Sequence, residues 1–193
     1  MTRQWIPRKD EFVVLDTDII INLRQKNDYK KPLAEVIDKI KAGGVHIIIP
    51  QIVECELIRN ARDAQEFQET QLFVSEYISW PTKPEILNTA CKIQAMYCWN
   101  EGTKDHGQKN IFNDMIVGAI AGYQEIDTKK STYILSCNQD FRSPYFEECH
   151  KIPLHCSSGK RILYIHYYRS KRRIISRDWN EYQKSIVSMK KTT

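Results

Sequence analysis

The sequence predicts a three-layer α/β/α sandwich with a mainly parallel central sheet. Three observations carry that expectation. Short runs such as FVVLD and VHIIIP are apolar at successive positions, as strands covered on both faces must be. Segments with helical periodicity lie between them, so strand and helix signals alternate along the chain. Acids follow directly on strand signals, at the edge where open α/β sheets bind their ligands.

In chain order, FVVLD reads as the first strand. PLAEVIDKIKAGG then reads as an amphipathic helix, with Leu33, Val36, Ile37 and Ile40 on one face and glycines at its stop. VHIIIP is the second strand. IVECELIRN opens another helical stretch, continued with weaker periodicity through ARDAQEFQETQLFVSEY. YISWPTKPE, with two prolines, reads as a connection. EILNTACKIQAMYCW places Ile86, Ala90, Ile93 and Tyr97 on one helical stripe, EGTKDHGQKN is a polar loop, and NDMIVGAIAGYQ is a further helix. TYILSCNQDF is the next strand and its exit, and ILYIHYY is the last strand signal.

The chain has 193 residues, 41% hydrophobic and 27% charged, which suits one domain with a substantial core. The amino-terminal MTRQWIPRKDEF lacks the apolar stretch of a signal peptide, and no run reaches the roughly 18 to 20 apolar residues of a bilayer span. A cytoplasmic protein without membrane contact is expected. The six cysteines form no CxxC pair and read as mostly reduced core residues, Cys91 and Cys98 among them on one helical face. The cluster Cys149, His150, His155 and Cys156 fits no common zinc spacing.

Charge divides the chain unevenly. From Ser157 to Thr193 there are ten Lys or Arg against two acids, a net of +8, which leaves −3 for residues 1–156 out of a total of +5. Residues 1–150 therefore read as the body of the domain, and 151–193 as a basic carboxy-terminal extension packed on it or continuing it. Within that extension RILYIHYYRSKRR interleaves aromatics with cations, a composition suited to phosphate contacts and base stacking. Arg169, Lys171, Arg172 and Arg173 are the candidate RNA-binding residues. The same stretch also reads as an edge strand, with Leu163, Ile165 and Tyr167 as its buried face and cations discouraging strand association.

The boundary acids are Asp16 and Asp18 after the first strand, Glu54 and Glu56 after the second, Asp114 at a helix start, and Asp140 after the strand YILS. A parallel sheet brings such positions to one edge. Taken singly each has a structural explanation, since Asp is a common cap and turn residue. Together they would repel, because two unit charges about 4 Å apart at an effective dielectric near 20 interact by roughly 4 kcal/mol. A hard divalent cation relieves that conflict, and oxygen-only ligands favour Mg²⁺ or Mn²⁺ over zinc.

Four segments in order, VVLDTDIII, IPQIVECELIRN, NDMIVGAIA and ILSCNQDF, resemble the PIN domain family of the kind found in VapC-type toxin ribonucleases, from about Val13 to Phe141. The resemblance implies a metal-dependent endoribonuclease in which Asp16, Glu56 and Asp114 are catalytic. Asp16, Asp114, Glu56 and Asp140 would hold Mg²⁺ or Mn²⁺. Asp18, Ser136 and Asn138 would support these ligands or stand in for one of them, with the fourth motif open between Asn138 and Asp140. RNA is the implied partner, and an antitoxin protein and a second copy of the chain, as a homodimer, are further partners the resemblance allows. Two other readings compete: a PIN fold without activity that binds RNA or protein, and a haloacid-dehalogenase-type phosphatase, suggested by the string DTDII.

Overall fold

The computed structural model describes residues 5–100, 111–138, 141, 144–155 and 162–190. Six strands form one sheet: β1 (Phe12–Leu15), β2 (His46–Pro50), β3 (Ile78–Trp80), β4 (Thr132–Ser136), β5 (Phe146–His155) and β6 (Ile162–Ser170), in the order β3-β2-β1-β4-β6-β5. The pairs β1·β2, β1·β4 and β2·β3 are parallel. β6 runs antiparallel to both β4 and β5. The mainly parallel α/β architecture expected from the sequence is therefore present.

Seven helices are described: α1 (Thr17–Arg24), α2 (Lys30–Ala42), α3 (Gln51–Arg59), α4 (Ala64–Ser75), α5 (Pro84–Asn100), α6 (Phe112–Thr128) and α7 (Arg172–Lys190). α2 buries Leu33, Val36, Ile37 and Ile40, the stripe its periodicity predicts. α6 is buried from Met115 through Gly122, which explains why NDMIVGAIAGYQ is apolar almost all round. Among the described residues no helix is long and apolar enough to cross a membrane.

The inner strands β1, β2 and β4 are apolar because helices cover both faces: Val13, Val14, Leu15, Ile48, Ile49, Ile134 and Leu135 have no exposed surface. Two elements differ from expectation. β6 is an inner strand and not an edge, and Ile165, His166, Tyr167 and Tyr168 are all buried in succession, a run that only two-sided coverage permits. The segment ISW, which reads as part of a connection, adds β3 at the opposite edge through a three-residue parallel pairing. Its two-proline neighbourhood hides so short a strand. Cys55, Cys91 and Cys149 are exposed and not in the core, since each lies on the solvent side of its helix or strand; Cys137 is half-buried, and Cys98 lies outside the described side chains.

β1 sits at the switch point of the sheet. The chain leaves it to one side for β2 and β3, and β4 returns on its other side. The register pairs Leu15 with Leu135, and the Asp16 amide donates to the Leu135 carbonyl at 3.1 Å. The carboxyl ends of β1 and β4 thus open side by side, which is where a crevice forms in such sheets.

Candidate active site

At the exit of β1 the backbone of Asp16 is still extended, and the next residue begins α1. Asp16 is the N-cap: its Oδ1 accepts the Thr17 amide at 2.8 Å. Its other oxygen, Oδ2, accepts a hydrogen bond from Ser136 Oγ at 2.7 Å, across 120 positions of sequence, and the residue is 5% exposed. One carboxylate therefore both caps α1 and ties the exit of β1 to the end of β4.

Asp18 follows in the first turn of α1 and leans onto the end of β4. Its Oδ2 accepts the Cys137 amide at 2.8 Å and lies 3.3 Å from Ser136 Oγ, so both acids meet at one hydroxyl. Burial, and then the neighbouring charge of Asp16, hold the Asp18 carboxyl well above the ordinary carboxylate range. Its Oδ1 is shut off from solvent and has no hydrogen-bond partner among the described residues. Ser136 itself is fully buried and accepts the Asn138 amide at 2.9 Å, which ties the exit of β4 back onto the strand. Burial beside the two acids also pushes the Cys137 thiol far up, so it stays protonated.

Glu56, in the second turn of α3, bridges two other elements. It accepts a hydrogen bond from the Thr17 hydroxyl at one oxygen and from the Asn113 amide at the other. Asn113 and the half-buried Asp114 lie in the first turn of α6. Thr17 thus links Glu56 to the Asp16–Asp18 turn, and Asn113 links it to the helix that carries Asp114.

Of the sequence-predicted residues, the structure brings Asp16, Asp18, Ser136 and Asn138 into one hydrogen-bonded group, with Glu56 joined through Thr17. Asp140 lies outside the described residues. Among the described residues, no three His, Cys, Asp or Glu side chains gather as a group that could hold a metal ion. The donor chemistry nonetheless fits a hard cation: the group is built of oxygens, and Asp18 Oδ1 is a buried carboxylate oxygen without a partner. Sequence reasoning gives no role to Thr17 or Asn113. Both stand inside motifs whose acids draw the attention, and a hydroxyl and an amide at helix starts are the available signal.

The cations of the extension are not equally free. Glu125 on α6 receives Arg169 at 2.7 Å and Arg172 at 2.9 Å. Lys171 and Arg173 have no acidic partner among the described residues, and Arg173 is exposed. The Cys149 to Cys156 cluster begins on β5, and Cys156 lies outside the described residues.

Comparison with known proteins adds the family. The sequence model of the family described as PIN domain matches residues 13–147. No curated protein sequence matches the chain. Among solved structures, VapBC2 from Rickettsia felis bound to a DNA fragment from their promoter is similar over 64% of this chain and 98% of that chain, at 16% identity and a TM-score of 0.44. DNA-bound VapBC from Salmonella typhimurium is similar over 65% of this chain and 98% of that chain, at 15% identity and a TM-score of 0.41.

Proposed function

Because the chain belongs to the PIN domain family, we propose that it is a metal-dependent endoribonuclease whose centre is the Asp16–Asp18 pair at the switch point of the sheet. The observation that carries the reading is that Asp16 and Asp18 converge on Ser136 Oγ while one buried oxygen of Asp18 has no hydrogen-bond partner among the described residues. Two largely buried carboxylates held together in this way are costly unless a cation or a proton joins them.

Asp16 and Asp18 would hold Mg²⁺ or Mn²⁺, with Asp114, directly or through water, and Asp140 or Asn138 as the further oxygen donors. Such an ion, when bound, lowers the pKa of a coordinated water and offsets charge developing on the phosphate and the leaving oxygen. Ser136 fixes the orientation of both aspartates through its single hydroxyl. Glu56, whose oxygens are engaged by Thr17 and Asn113, holds the first turns of α1 and α6 at one spacing and stands ready to align a water near them. Lys171 and Arg173 would meet the RNA backbone, and the toxin of a toxin–antitoxin pair is the biological role consistent with this assignment.

Family membership removes the basis of the phosphatase reading. The other competitor, a PIN fold that binds RNA or protein without cutting it, makes a different prediction. Incubating the chain with single-stranded RNA and Mg²⁺ or Mn²⁺ separates the two. Cleavage that chelation stops and that Asp16→Asn or Asp114→Asn abolishes is expected, whereas RNA binding without cleavage at any metal concentration would establish the inert module.

A further inference from the structure

The stretch matched by the family model ends at residue 147, yet a chain of contacts reaches the site from beyond it. His166 on β6 is 1% exposed, and its Nδ1 lies 2.7 Å from the Glu148 Oε2 on β5. The imidazole stacks on the Tyr168 ring at 5.5 Å between centroids and 13° between planes. Tyr168, fully buried, donates its hydroxyl to the Asn138 carbonyl at 3.1 Å. The Asn138 amide in turn donates to Ser136 Oγ, the hydroxyl that both aspartates share.

Strand register explains the alignment. Ser136 lies opposite His166 and Ile134 opposite Tyr168 in the antiparallel β4·β6 pair, and opposite residues present their side chains on the same face. His166 and Tyr168, two apart on one strand, share that face with Ser136. A buried imidazole and a buried phenol placed beside the exit of β4 are more than filling, since each makes a directed polar contact there. The imidazole Nδ1 meets Glu148, and the phenol hydroxyl donates to the Asn138 carbonyl. Tyr168 thereby fixes the turn at Cys137 and Asn138, and that turn presents the Cys137 amide to Asp18 and the Asn138 amide to Ser136.

We propose that Glu148, His166 and Tyr168, supplied by the carboxy-terminal hairpin, are positioning residues that set the geometry of the Asp16–Asp18 centre through Asn138 and Ser136. The inference rests on the reading of that centre as a cation site. Its order follows the contacts: Glu148 meets His166, His166 stacks on Tyr168, and Tyr168 bonds to the turn. Outer partners of metal ligands commonly alter metal affinity by about 10-fold to 100-fold.

The test is calorimetric titration of Mn²⁺ into the full chain, with thermal melting of each variant in metal-free buffer. Tyr168→Phe should weaken Mn²⁺ binding by about tenfold, the lower end of that range. Glu148→Gln should weaken it less, because the Glu148 side chain is 34% exposed and acts at two removes. The double variant should bind no worse than Tyr168→Phe, since the effect of Glu148 passes through the phenol that is already gone. Lowered melting temperatures with wild-type Mn²⁺ affinity would overturn the inference and reduce the three residues to packing. Additive losses in the double variant would also overturn it. Asp16→Asn serves as the control: if it loses Mn²⁺ binding while Tyr168→Phe keeps it, only the positioning role fails, whereas wild-type binding by Asp16→Asn would overturn the cation site and this inference together.

Discussion

Asp18 shows how one side chain can make stability and the proposed function pull against each other. Its carboxyl is raised above the ordinary range by burial and by Asp16, so in the metal-free fold it retains a proton that the unfolded chain has already released. Between the ordinary carboxylate value and the raised one, the folded state binds more protons than the unfolded state, and stability falls as pH rises. Below that window both states are protonated and the difference vanishes. Metal-free protein should therefore melt at a lower temperature at neutral pH than in mild acid, and Asp18→Asn should flatten this dependence while raising the neutral-pH melting point. A melting profile of Asp18→Asn that tracks wild type across the same pH range would show that the carboxyl carries no such proton. Mn²⁺ binding by the wild type should release protons in the same window, measurable as a dependence of the calorimetric heat on the buffer.

The elements divide according to how local their signals are. β1, β2 and β4 are legible in the sequence because strands buried on both faces need continuous β-branched runs, and α2 because one face carries its core contacts. Asp16 is legible as a candidate site residue for a related reason, being charged where an apolar strand stops, whereas Ser136 is reached only through the resemblance of its segment to the family. The alternation of Leu163, Ile165 and Tyr167 suggests an edge at β6, and only the buried succession from Ile165 to Tyr168 marks it as an inner strand. α7 has no counterpart in the sequence reading, although Ile175, Trp179 and Tyr182 recur at helical spacing along its partly buried face. Which cations are free is a tertiary fact that composition cannot supply, since Glu125 lies 44 residues upstream of Arg169. That pairing decides which substitutions bear on the proposed RNA binding. Neutralising Lys171 and Arg173 should lower the logarithmic salt dependence of single-strand binding by about 0.7 for each phosphate no longer neutralised. Arg169→Gln should instead lower thermal stability, because it removes a partner from Glu125. An unchanged salt slope in the Lys171 and Arg173 variant would assign the arm to a protein partner or to solvent. Packing between elements is equally specific at Gly118 on α6, where a Cβ would collide with the Phe146 ring of β5. Gly118→Ala is expected to cost about 1 to 3 kcal/mol in denaturant unfolding, the usual penalty of overpacking.

For the whole molecule, the relation between body and extension is decided by the sheet. β6 lies between β4 and β5, so a chain cut after residue 150 loses the inner strand together with half of its outer neighbour. Such a chain should show no cooperative melting transition by circular dichroism, whereas a cut after Ser170 removes only α7 and should leave a folded, less stable protein. Cooperative melting of the 1–150 fragment would instead make it a domain in its own right. The same insertion has a consequence in time. During synthesis β1, β2 and β4 emerge well before β6, and until β6 arrives the outer edge of β4 is an unpaired ladder beside which Tyr168 is still missing. The turn at the end of β4 would thus gain its last neighbour only once the inner strand had been made, so the candidate site is among the latest parts of the molecule to take its final form.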